Sequence, residues 1–190
     1  MRLRISRESL RIRFAMSSPQ SFEENILNSL RLRITVVLPE QVRACLEQLD
    51  DEQLWWRPNA QSNSVANLIL HLAGALQEFI CRRIGGFEYA RQRDAEFAQR
   101  ASASKKELRA VFDEAIEKSK ATFDALSPER LSAPSTNPDY YSTLYEDLLG
   151  AAFHMAIHTG QIVYITKMFK QGAIEGIWAK THRSSGAWRT

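Results

Sequence analysis

The chain has little that would turn, staple or strongly charge a fold. Its 190 residues include only eight glycines and six prolines, so few, long elements are expected. It has two cysteines, Cys45 and Cys81, and neither has a CxxC partner. They read as free, buried thiols of a reducing compartment rather than as a disulfide. No apolar stretch follows the N-terminal charges, which excludes the pattern of a secretory signal. Excess charge is also nearly absent, since 25 Lys+Arg face 22 Asp+Glu for a net +3.

Even that small excess is local. Residues 1–15 hold five arginines (Arg2, Arg4, Arg7, Arg11, Arg13) and one acid, Glu8. The rest, with 20 basic and 21 acidic side chains, sits at −1. A near-neutral body argues against a DNA-binding domain with a basic face. The arginine run reads as an N-terminal extension: a transit-like segment, a start-site choice (Met16 opens a clean polar lead-in) or a loose extra element. Contact with nucleic acid or anionic lipid through it is the weakest functional reading, and it predicts salt-dependent binding lost with residues 1–15. Residues 16–190 suit one domain, and the whole chain's 44% hydrophobic and 25% charged residues are ordinary for a globular protein.

The periodicity is helical almost throughout. A first helix is expected over 21–48, interrupted or kinked at Pro39. A second runs from an N-cap at Ser64 to about Ile84, stopped by Gly85-Gly86. Residues 87–103 read as a loop with a short helical turn. A third helix spans about 105–126, then comes a proline-bearing loop, then a fourth helix over about 142–170. The fold class is all-α, a four-helix bundle with an N-terminal segment and a C-terminal tail holding Trp178, His182 and Trp188. Trp55, Trp56, Trp178 and Trp188 read as packing or interface residues.

Two windows contain no Asp, Glu, Lys or Arg: 58–77 and 148–166. Each approaches a membrane span in length, but both look too polar for one. They read as the two most buried helices. Three of the four histidines lie in them: His71 in the first, His154 and His158 in the second. His154 and His158 stand at i,i+4 on one helical face. That spacing lets one helix offer two imidazoles to a metal. Met155 replaces the glutamate of the HExxH metalloprotease pattern, which excludes that mechanism. His71 is the candidate third ligand. Satisfied core histidines and a three-imidazole metal site both fit the spacing.

At a helical pitch, Asp147, Gly150, Ala151 and Gln161 share the His154/His158 face, with Ile162 and Ile165 flooring it. Ala75 and Glu78 follow His71. Gly150 and Ala151 leave room for a cavity, and Tyr140, Tyr141 and Tyr145 are candidates for its rim. Asp147, Glu78 and Tyr145 are the candidate catalytic groups, although Glu78 reads more readily as a surface carboxylate.

The stretches LDDEQLWWRPNAQSNSVANLILHLAGAL around His71 and HMAIHTGQIVYITKM around His154 and His158 resemble the DinB-like superfamily of DNA-damage-inducible proteins. The likeness is nearest to a bacterial subfamily of unassigned function and covers the chain from about residue 21. It implies that His71, His154 and His158 bind one divalent metal, zinc or nickel first among the candidates. It also implies a homodimer. Relatives include transferases and isomerases that use low-molecular-weight thiols such as bacillithiol or mycothiol. The expectation is a cytoplasmic, metal-dependent S-transferase or hydrolase acting on a small molecule, with a low-molecular-weight thiol among the candidates and no membrane or nucleic-acid partner. The alternative is a non-catalytic metal-binding or stress-response protein on the same scaffold.

Overall fold

A computed structural model describes residues 20–172. The Arg-rich segment 1–15 and the tail with Trp178, His182 and Trp188 lie outside the described residues. The elements in chain order are α1 (Phe22–Leu32), α2 (Leu38–Gln48), α3 (Asp51–Trp55), α4 (Val65–Leu76), α5 (Arg93–Ala98), α6 (Lys105–Asp124) and α7 (Leu144–Phe169). A 3₁₀ turn covers Pro128–Ser132, and the described residues form no β-strand beyond one isolated bridge, Pro134 to Thr143. The fold is all-α, as expected from the periodicity.

Helix starts are set by side chains that satisfy the free N–H groups of the first turn. Ser21, Asp50, Ser64, Ser104 and Thr143 each accept from the backbone N–H three residues on, and all but Ser21 form a reciprocal capping box. Pro39 does not break the first rod. It has no N–H to give the carbonyl one turn back, and its ring crowds that carbonyl. The helix widens instead into a π turn at Arg33–Val37 and continues as α2. Thr35 Oγ1 donates to Arg31 O at 2.8 Å within the wide turn.

Four rods make the bundle: α1–α2, α4, α6 and α7. The α1–α2 rod packs against α6 and α7, and α4 packs against the same two. Ile34, Leu46, Ile69, Leu72, Phe112, Ile116 and Leu148 meet in the centre, fully shielded from solvent. Cys45 and Cys81 are buried free thiols, and burial pushes both thiol pKa values up. The two described tryptophans pack as expected: Trp55 Nε1 donates to Ala103 O at 2.8 Å, and Trp56 stands edge-on to Phe169.

The two charge-free windows differ from expectation in one respect. From Ser64 to Glu78 only Leu70 is less than fully buried, but α7 leaves Phe153, Ile157, Tyr164 and Met168 exposed. By length and composition α7 also meets the requirement for a membrane span, with a mean hydropathy of 1.3 and 39% of that stretch buried in the fold. The polar residues in this window therefore do not exclude a span by themselves. Core helices of soluble proteins pass the same test.

Candidate metal centre

His71 projects from α4, and His154 and His158 project from adjacent turns of α7. The α4–α7 packing brings one ring nitrogen of each to within 4.8 Å of the others. His71 Nε2 faces His154 Nε2 at 2.9 Å. Nitrogens about 2.0–2.1 Å from a tetrahedral zinc ion stand about 3.3 Å apart, so this spacing needs only a few tenths of an ångström of opening. No fourth histidine, cysteine or carboxylate joins the three among the described residues.

Outer partners fix two of the rings. His71 is 5% exposed, and its Nδ1 lies 2.8 Å from Glu96 Oε2. Arg91 grips the same carboxylate with Nε and Nη2 at 2.8 and 2.9 Å. Burial alone would raise the Glu96 pKa. Hydrogen bonds from His71 and Arg91, with the charge of Arg91, bring it below the ordinary value. Glu96 is therefore ionised and can only accept, so His71 Nδ1 carries the proton and Nε2 presents its lone pair inward. On α7, His158 Nδ1 lies 2.7 Å from Gln161 Oε1, which orients Nε2 in the same way.

Sequence reasoning missed Glu96. It lies on α5, inside the stretch read as mostly loop. Asn67 anchors α5 by donating from Nδ2 to Glu96 O at 2.9 Å. Gly74 makes the space, because a Cβ there would collide with Glu96 Oε1. The available signal was Gly74 at i+3 from His71, on one helical face with it.

Electrostatics favour the neutral form of the two α7 rings. Burial, then the neighbouring His158 and His71, lower the His154 pKa to about 4. Burial also lowers that of His158, against the opposing hydrogen bond that His158 donates to Gln161. Neutral imidazoles with inward lone pairs are the protonation state a metal requires.

A cavity of about 370 Å³ opens beside His154, between α4, α7 and the 136–141 loop. Asp147, Gly150, Ala151 and Ala75 line it, as their helical phase predicts. Gly150 makes room for the Tyr141 hydroxyl, which a Cβ there would displace. Tyr140 and Tyr141 belong to the wall, whereas Tyr145 does not. Asp147 accepts from Ser135 Oγ at 2.7 Å, Thr136 N at 2.7 Å and Thr136 Oγ1 at 3.1 Å. Glu78 is not a surface carboxylate. It is 8% exposed and paired with Arg82 and Arg83, which, with Arg82's hydrogen bond the largest influence, hold its pKa at about 2. Neither Glu78 nor Tyr145 lines the cavity. A second π turn, Gln77–Arg82, follows α4, with Arg83 N bonding Glu78 O. Leu72, Leu76, Phe79 and Arg83, at four- and three-residue steps, form the stripe that faces the cavity, and Glu78 lies on the neighbouring stripe below His71.

Fold and site define a class: an all-α protein with a three-histidine group able to hold a metal beside a cavity. Within that class, the chain belongs to the family described as "Protein of unknown function (DUF1572)", whose model matches residues 21–179. All three histidines, Glu96 and the cavity wall fall inside the match. No curated protein matches the chain.

Proposed function

We propose that this chain is a divalent-metal protein of the DinB-like kind, with His71, His154 and His158 as ligands for zinc or nickel. Its activity would be thiol S-transfer or hydrolysis on a small molecule. The observation that carries the reading is the convergence of three ring nitrogens, two of them with outer hydrogen bonds that fix the tautomer. A divalent ion held by neutral imidazoles lowers the pKa of bound water or keeps a thiol as thiolate. The chain's own part is to orient and to exclude water. Glu96 and Gln161 hold two rings, α5 covers His71, and the cavity admits a small molecule at His154.

One observation favours the non-catalytic alternative. Asp147, the one carboxylate among the described residues of the cavity wall, already accepts three hydrogen bonds and is not a free general base. Metal analysis of the purified chain tests the metal reading. About one zinc or nickel ion per chain is expected, lost in the triple His→Ala variant. Unchanged metal content in that variant would sink it. Turnover of thiol conjugates or esters by the loaded protein separates enzyme from binding protein.

A further inference from the structure

The cavity beside His154 has two unlike ends. Toward the imidazole its walls are apolar: Leu72 and Leu76 from α4, and Met155 from α7, with Phe79 from the π turn further along. Gly150 and Ala151 set its width. Polar groups gather at the other end, where Arg83, Asn137 and Asp147 line it. Asp147 precedes His154 by seven residues, about 10 Å along the helix.

The polar end is poor in available positive charge. Arg83 Nε bonds Glu78 Oε1 at 2.9 Å, and Nη1 bonds Asn137 Oδ1 at 2.8 Å. Its guanidinium also lies over the Phe79 ring, 5.2 Å from the centroid. The one cation in the wall is thus already engaged through two of its nitrogens, although it shares Glu78 with Arg82. Asp147 adds a negative charge held by neutral donors alone among its hydrogen bonds. An entering carboxylate or phosphate would meet that charge without a free cation, at a real desolvation cost. A neutral oxygen acceptor suits the side-chain amide and phenol groups there.

We infer that the cavity binds the body of a neutral, mainly apolar small molecule, its reacting group at the three histidines and no anionic group at the far end. This deepens the metal reading, on which only the placement of the reacting group rests. A neutral thiol or neutral electrophile fits; a polyanionic thiol does not.

Zinc-loaded protein is titrated calorimetrically with acetohydroxamate, with phenylbutyrohydroxamate, and with a tail of equal length ending in a carboxylate. At about fourfold per buried methylene, the phenyl tail should gain at least about thirtyfold over acetohydroxamate, and the carboxylate tail under about threefold. Equal affinity for all three, or tightest binding of the carboxylate, overturns the inference. Ala151→Phe should fill the cavity and erase the tail's gain; Ala75→Leu does so from the opposite wall should the first variant fail to fold. Metal-free protein is then exposed to phenylbutanol, with the Met155 methyl resonance as reporter. A saturable shift is expected, and no shift overturns the inference whatever the metal result. If Met155 responds but acetohydroxamate does not bind, the metal centre fails while the neutral apolar pocket stands.

Discussion

α4 and α7 both lie in windows free of charged side chains, yet the fold treats them differently. α4 is enclosed by α3, α5, α6 and α7, while α7 packs chiefly against α2 and α4. Ile69 on α4 is wholly buried, whereas Ile157 on α7 is 61% exposed. Absence of charge therefore records that burial is tolerated, and the number of neighbours decides whether it occurs. The histidines follow the same division. α4 supplies one imidazole held by a buried, ionised carboxylate, and α7 supplies two, one held by an exposed neutral amide.

The largest expected effect tests enclosure on α4. Ile69→Ala should cost about 2–5 kcal/mol of stability, because it leaves a cavity among fixed neighbours. Urea unfolding with an unchanged m-value measures it. A loss under about 1 kcal/mol would mean that this part of the core relaxes freely. Next comes the unequal support of the imidazoles. Glu96→Gln should weaken zinc binding about 10–100-fold, read by competition with a chromophoric chelator. Gln161→Ala removes an exposed neutral bond and should weaken it only about twofold. Equal losses would erase the distinction between the two helices at the site.

Much of this was legible from residue spacing. The i,i+4 pair His154/His158 and the lone His71 place three imidazoles on two helices, and Ser64 as N-cap starts α4 where read. Phase also put Asp147, Gly150 and Ala151 beside His154. Glu78 was read on the His71 stripe, but the cavity lies against the neighbouring stripe of Leu72, Leu76, Phe79 and Arg83. The π turn at Gln77–Arg82 has no proline to announce it. Glu96 was hidden for another reason: its partner is 25 residues distant, and nothing local marks a carboxylate on a short helix as buried. The exposed face of α7 was unreadable because composition does not count neighbours.

A pH series on the metal-free protein separates the two helices. His154 titrates at about 4 in the fold against an ordinary 6.5, so the unfolded chain binds more protons between those values. Stability is then full above 6.5 and falls as pH drops toward 4. Glu78, lowered from 4.5 to about 2, contributes stability that is present above 4.5 and lost as pH falls toward 2. His154→Asn should shrink the upper window only, which His158 shares, and Glu78→Gln the lower window only, which Glu96 shares, by urea unfolding at each pH. A single window abolished by either substitution would show that the two titrations are coupled.

The smallest effect is the sharpest control, because it repeats the first substitution on the other helix. Ile157→Ala removes the same atoms as Ile69→Ala, but from a side chain that already meets water over most of its surface. Little apolar area is lost from burial, and alanine is the better helix former, which offsets part of that loss. The net change should lie within about 0.5 kcal/mol, the usual range for surface positions. The measurement is again urea unfolding, at two protein concentrations. A loss matching that of Ile69, or one present only at the higher concentration, would mean that the apolar face of α7 is covered in solution. The contrast between the helices would then belong to the isolated chain alone.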